Sequence, residues 1–400
     1  MIATPSVTPR PPRLAGPLLP LIAAQAVQAD RTRSVSPEVI RAIKQSDLMR
    51  MAAAAELGGL NTPIAEIAEE LAAVSVACGS TGWCLWNHLL VFHFFGTVFG
   101  PAHAALLRSI VENHHWCSYA AGAGTSVVGH PEGDQLRLKG RAAFASGARY
   151  GDWAGVPFKL DTEPDYMALK YMNLTLVRTN APGVRVDPTW ESMSLRASAT
   201  DHIAYDDVAV PAGQCVKLEF KFRERFRTPA EPVIHQRYRE DFVGVSSLWL
   251  AAQGAAVAQA ALDEASSGIR ERIAIMGVKM SNKPTVQVNL GQAAAMIATA
   301  RASVMECCRE TDRRILAGIA PTETDYLQQT SRAMMALEMC DQAMRLVLRV
   351  LGANGLRESD SFERRYRDLT AMPLHMNVHH DRVSEQLGRH LIGLETNNFY

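Results

Sequence analysis

The chain has no excess charge of either sign: 41 Lys and Arg balance 41 Asp and Glu over 400 residues. That removes the electrostatic case for a nucleic-acid partner or an anionic membrane surface. Aromatic residues are scarce at 7%, while Ala and Met are abundant, a balance that favours helices. No apolar run reaches the length of a bilayer, so no membrane span is expected. No G-x-G-x-x-G follows a strand pattern and there is no P-loop, which sets aside NAD or ATP binding by this chain. The seven cysteines (Cys78, Cys84, Cys117, Cys215, Cys307, Cys308 and Cys340) are odd in number and form no C-x-x-C pair. A zinc ribbon or a disulfide framework is therefore not expected, and a reducing cytoplasm is. The paired histidines His114-His115 and His379-His380 point in different directions on a helix, so they do not make a metal site.

Apolar residues at 48% and charged residues at 20% are enough for an extensive core. The length suits two or three domains or one composite fold. A Pro-rich N-terminal arm leads into a first helix. From about Leu18 to Ile110 apolar residues recur at three- and four-residue steps. Val35 to Gly59 carries this pattern up to a Gly-Gly stop, Ile64 to Ala77 repeats it, and Gly82 to Phe99 is apolar on nearly every face. From Trp116 to about Val216 the pattern turns to short strands between Gly- and Pro-containing turns, a small barrel or sandwich. From Tyr238 onward it is helical again, with long Ala-rich stretches at Ser246–Ser267, Thr285–Ile319 and Thr322–Leu351, then a last helix at Val383–Leu394. No internal repeat is visible. The expected organisation is a helical domain at 1–115, a β-barrel domain at 116–222 and a C-terminal four-helix bundle at 223–400.

Four segments, in order along the chain, resemble the acyl-CoA dehydrogenase superfamily. They are CGSTGW (Cys78–Trp83), LRLKGRAAFASGARYGDW (Leu136–Trp153), WESMSLRASATDHIAYDDVAVP (Trp190–Pro211) and RVLGANGLRESDSFERRYRDLTAMPLH (Arg349–His375). Within it the chain looks more like the oxygenase components of two-component flavin monooxygenases than the dehydrogenases. RYRDLTAMPLH ends in His375, where such oxygenases carry an active-site histidine. The Y-E-G-T-like segment bearing the dehydrogenase base is not found. The resemblance implies a mainly α, acyl-CoA dehydrogenase-like fold in a homotetramer. It implies reduced FMN, or alternatively FADH2, delivered by a separate NAD(P)H:flavin reductase. O2 would be activated as a C4a-hydroperoxyflavin and one oxygen atom placed on a small aromatic or heteroaromatic substrate.

The same resemblance nominates residues. Ser146, in Phe144-Ala145-Ser146-Gly147, would hydrogen-bond the flavin edge, since a hydroxyl both donates and accepts; by itself, Ser-Gly also reads as a plain turn. His375 would be the acid/base group, or else a capped core histidine. His88 would orient substrate, with His93 a competitor. Trp83, Ser118 and Ala145 would lie along the flavin. A cation must meet the flavin phosphate; Lys279 and Lys283 are candidates before a long helix, and Gly352, Gly355 and Arg367 for a neighbouring subunit's contribution. Two rival readings stay open: an acyl-CoA dehydrogenase with a displaced base, and a catalytically silent relative kept as an assembly partner.

Overall fold

The computed structural model describes residues 12–122, 124–164, 172–218, 232–274, 277–358 and 361–396. The start of the Pro-rich arm and the expected boundary at 222/223 lie outside the described residues. Ten α-helices are described in chain order: α1 (Leu19–Thr32), α2 (Pro37–Lys44), α3 (Ile64–Ala77), α4 (Gly79–Phe99), α5 (Ala104–Glu112), then, after the strands, α6 (Phe242–Ile269), α7 (Pro284–Leu316), α8 (Glu323–Leu351), α9 (Ser361–Ala371) and α10 (His380–Leu391). The strands are β1 (Cys117–Tyr119), β2 (Ser126–Glu132), β3 (Gln135–Ala145), β4 (Trp153–Leu160), β5 (Asn173–Arg178), β6 (Val184–Asp187), β7 (Asp201–Pro211) and β8 (Val216–Lys217).

Local chemistry sets the helix ends. Ser36 accepts from Val39 N and Pro37 follows, so α2 begins there. Asp241 accepts from Val243 N at 2.7 Å to start α6. Thr322 and Asp325 form a reciprocal capping box at α8. The helical pattern across Val35–Gly59 does not form one helix. Ser46 turns its hydroxyl onto Leu48 N and the chain breaks into short 3-10 turns at Asp47–Arg50 and Ala55–Leu57. Serine offers the backbone a local partner that competes with the helix.

Helices α6, α7 and α8 pack on one another, and α3 lies against α6 and α7, so a helix from the first third of the chain joins this bundle. The shorter α9 and α10 cover α6 and α8 respectively. Helix α6 is, among the described residues, the one helix long and apolar enough to cross a membrane, but 83% of its apolar window is buried in the protein itself. Helix α4 is buried around almost its whole circumference. It packs so closely on α3 that a β-carbon on Gly82 would fall 1.9 Å from Ser75 Oγ.

The strands run in the order β6-β7-β3-β2-β4-β5-β8, with β1 added parallel to β4. Among the described residues no pairing joins β6 to β8; the strands fold over into the central β module expected between the two helical parts. Its core is Val127, Leu138, Phe158, Ile203, Val208 and neighbours. Strand β3 alternates buried and exposed residues as a half-buried strand should, until Ala142. There its pairing with β7 slips, between Ala142 and Ala145, and Phe144 adopts φ 63°. The bulge throws Phe144 outward, 48% exposed, and turns Ala145 inward. Ser146 emerges from this irregularity.

Candidate active site

Helix α4 presents Trp83 and Trp86 one turn apart on one face. Their ring centroids are 4.9 Å apart. The Trp83 indole N–H donates to Ser146 Oγ at 3.0 Å, tying α4 to the end of β3. After Ser146 the chain reverses at Gly147 (φ 73°), where a β-carbon would come within 3.0 Å of Trp116 Nε1. Gly147 N and Ala148 N donate to the carbonyls of Ser198 and Ala199 at 2.9 and 3.2 Å, locking this turn to the segment before β7. Ser146 Oγ also lies 3.0 Å from Thr200 Oγ1.

His375 arrives from the other side, between two short 3-10 turns that follow α9. Its ring stands edge-on to both tryptophans, 5.6 Å from Trp83 and 4.9 Å from Trp86. The loop is anchored to α6: Asn377 Nδ2 donates to Ser246 Oγ at 2.8 Å and Ser247 Oγ donates to the Asn377 carbonyl at 3.1 Å. The Ser246 carbonyl accepts from Trp86 Nε1 at 2.9 Å, so one residue of α6 positions both Trp86 and the His375 loop. Asn377 N donates to His375 Nδ1 at 3.2 Å. The neutral ring then carries its proton on Nε2, which meets no hydrogen-bonding partner among the described residues. Burial, with a smaller push from Arg382, lowers this imidazole to about 4, so it is neutral at ordinary pH.

Trp83, Ser146 and His375, far apart in sequence, therefore share one cluster. The other nominated residues fare differently. Ala145 is buried and paired with Asp201 at the bulge. Ser118 is buried in β1 with its hydroxyl on the Trp153 carbonyl at 3.4 Å. His88 has both ring nitrogens committed: Cys117 N donates to Nδ1 at 3.0 Å, and Nε2 meets the Met49 carbonyl at 2.9 Å. The expected substrate-orienting role is not open to it, because no ring nitrogen remains for a ligand; it fastens β1 to α4. His93 is fully buried, with Nε2 3.0 Å from the Glu240 carbonyl.

Arg367 needs the same correction. Its guanidinium is spent on Glu363, on Asp30 at 3.0 Å and on the Met193 carbonyl at 2.7 Å. It has no open N–H for a phosphate, and acts as an internal strut between α9, α1 and the segment before β7. Lys279 is paired with Glu271 at 2.9 Å in the loop after α6. Lys283 is the N-cap residue of α7. Gly352 ends α8 at φ 62°, and Gly355 packs on Leu348 and Leu351. Sequence reasoning missed Thr200, Ser246 and Asn377. Each acts through a partner distant in the chain, and only the serine-rich stretch Ser192–Thr200 hinted at a hydroxyl cluster.

The C-terminal helices at residues 248–380 match the acyl-CoA dehydrogenase C-terminal domain. The solved structure of XiaF from Streptomyces sp., in complex with FADH2 and glycerol, superposes with a TM-score of 0.85, covering 96% of this chain and 94% of that one at 20% identity. The fold is that of the acyl-CoA dehydrogenases. In sequence, this acyl-CoA dehydrogenase-like chain is 25% identical to the indole-3-acetate monooxygenase of Pseudomonas putida, over 81% of this chain and 79% of that protein. It is 23% identical to the flavin-dependent monooxygenase oxygenase subunit HsaA of Rhodococcus jostii, over 94% of this chain and 97% of that protein. Full-length similarity thus extends to flavin-dependent oxygenase components as well as to the fold they share with the dehydrogenases.

The donor set suits a flavin edge. Ser146 offers a hydroxyl, His375 a neutral N–H, and two indoles provide apolar walls. Trp83, Ser146 and His375 would hold the isoalloxazine end; no residue of this chain is assigned to the phosphate.

Proposed function

We propose that this chain is the oxygenase component of a two-component, reduced-flavin-dependent monooxygenase acting on a small aromatic or heteroaromatic compound. The observation that carries the reading is the convergence of Ser146 and His375 on the Trp83–Trp86 pair. Bound reduced flavin supplies two electrons and the centre at which O2 is activated. The balance is substrate C–H plus O2, two electrons and two protons giving substrate C–OH and water.

The residues contribute as follows. The indoles of Trp83 and Trp86 limit water at the reacting edge, which strengthens every polar contact there. Ser146 offers a hydroxyl to the ring edge. His375 presents Nε2–H as a donor, suited to a phenolate-like oxygen on the substrate or to oxygen that gains charge during transfer. Its tautomer makes it a donor first; service as a base would require giving up the Asn377 contact. The ionisable group in this cluster is an imidazole, whereas a dehydrogenase removes its α-proton with a carboxylate.

A homotetramer fits the reading, as does a reducing cytoplasm, in which all seven cysteines stay free. Reduced FMN and FADH2 are the two electron donors that fit, with an NAD(P)H:flavin reductase as partner. The test is turnover under 18O2 with a generic flavin reductase, NADH, FMN or FAD, and a panel of phenols and indoles. One 18O atom in a hydroxylated product is expected. Tightly held oxidised FAD that is bleached by acyl-CoA substrates, without oxygen incorporation, would instead make the protein a dehydrogenase. Light scattering that gives a monomer would remove the tetramer.

A further inference from the structure

Helix α4 is buried on nearly every side, and the little of it that solvent touches is not scattered. From Trp83 to Phe95 three residues stand out, Trp83 (8% exposed), Asn87 (8%) and Leu90 (6%), while every other is exposed by 3% or less. Their spacing is i, i+4, i+7, a single stripe on a helix. The stripe begins where Trp83 meets Ser146, beside the Trp86 ring on which His375 stands. It ends at Phe94, packed on Tyr119 and Phe242 with centroids 5.1 and 4.6 Å away. Accessibility confined to one stripe of a core helix marks the wall of a narrow cleft, and this cleft opens on the Ser146–His375 cluster.

Asn87 is the one polar residue of the three. Its Oδ1 is shut from solvent without a hydrogen-bonding partner, and among the described residues neither end of the carboxamide is paired. Buried amides are nearly always satisfied, so an orphan of this kind needs a reason. His88 supplies no alternative. It points about 100° away around the helix, where both its ring nitrogens are spent.

Resting on the oxygenase reading above, we propose that Asn87 binds the aromatic substrate through a hydroxyl or N–H carried on its ring, with the carboxamide oxygen as acceptor. A ring hydroxyl can also accept from Nδ2, so it suits the amide whichever way it turns, whereas an indolic N–H needs Oδ1. Leu90 and the two indoles wall the flat apolar remainder of the ring. The substrate class narrows accordingly. A ring system with no donor of its own would leave the amide unpaired, and a site built around such a contact discriminates strongly against analogues that lack it.

The experiment is an anaerobic calorimetric titration of the protein loaded with reduced FMN and, separately, with FADH2. The ligands are p-cresol against its methyl ether, and indole against N-methylindole. The proteins are the wild type, Asn87→Leu and Asn87→Ala. The wild type should bind at least one parent ring about tenfold or more tighter than its methylated form, and the pair that shows the difference names the donor. In Asn87→Leu this preference should shrink to within about threefold, with the loss falling on the parent ring and flavin affinity kept within about threefold. Asn87→Ala serves where leucine blocks the cleft. Because the amide has no bond within the fold to lose, ligand-free Asn87→Leu should melt no lower than wild type. No binding of either parent ring, equal affinity within both pairs, or a preference that survives in both variants would overturn the proposal. So would equal loss on parent and methylated rings together with a lower melt, which would make Asn87 part of the fold. Wild-type protein that yields no 18O product from any phenol or indole would overturn the oxygenase reading and this proposal with it. An 18O product alongside any of the other failures would overturn this proposal alone.

Discussion

The backbone N–H of Asn377 donates to Nδ1 of His375 at 3.2 Å, and this contact decides which end of the imidazole faces the site. The ring is held edge-on to Trp86 while Asn377 itself is tied to α6 through Ser246. The geometry belongs to a donor held ready, with its tautomer set by backbone.

His375→Ala should therefore leave flavin affinity within about threefold of wild type while lowering hydroxylated product per O2 consumed by at least about tenfold, as expected for a lost hydrogen-bond donor to oxygen that gains charge. The missing oxygen should appear as hydrogen peroxide. Because the ring is neutral above about 4, the wild-type rate should show no inflection from this group between pH 6 and 8. Unchanged coupling in the mutant would remove His375 from the chemistry.

His88 makes the fold acid-sensitive. Burial lowers this imidazole to about 4 from a free value of 6.5, against the hydrogen bond to Met49, which pulls the other way. The unfolded chain thus binds a proton that the folded chain refuses. Stability from this group is complete above pH 6.5 and is lost as pH falls from 6.5 toward 4, by an upper limit of roughly 3 kcal/mol. His375 acts in the same direction. Thermal melts from pH 7.5 to 4.5 should show a falling Tm, with a shallower slope in His88→Gln. A slope identical to wild type would assign the acid lability elsewhere.

Arg367→Ala should lower stability rather than flavin affinity. Asp30 and Glu363 would lose their shared cation in a partly buried setting, and breaking such an arrangement from one side typically costs about 3–5 kcal/mol. Denaturant melts should report the loss, and flavin titration of the folded protein should match wild type. A mutant of normal stability with weakened flavin binding would restore the phosphate-binding role.

Gly82→Ala tests the contact between α3 and α4. In an exposed helix this change would stabilise by about 1 kcal/mol. Here the new methyl would lie 1.9 Å from Ser75 Oγ and 2.9 Å from Ser75 Cα. Ser75 would be pushed from its 2.7 Å hydrogen bond to Gln253 on α6, so a net loss of about 1–3 kcal/mol is expected from overpacking. A rise in Tm would show that the helices separate at little cost.

Periodicity and breakers along the chain determined the order of elements: helices, strands, then long helices. Ile64–Ala77 was legible to the residue because its apolar spacing and its preceding Pro63 agree. The broken stretch at Asp47–Leu57 was not: its residues are strong helix formers, but the hydroxyl of Ser46 and bonds from Leu60, Asn61 and Thr62 to the carbonyls of Arg50, Ala53 and Met51 outweigh that propensity. Helix α9 went unrecognised because its charged residues, Glu363, Arg367 and Asp368, are turned inward to partners elsewhere. The motif resemblance located Ser146, Trp83 and His375, since each sits in a recognisable local string. Tertiary structure alone decided that these three meet, that His88 and Arg367 are already fully committed, and that Thr200 stands behind Ser146. Hydrogen-bond valence is the reason: a sequence shows which groups can donate or accept, and only the packed chain shows which of those capacities are already spent.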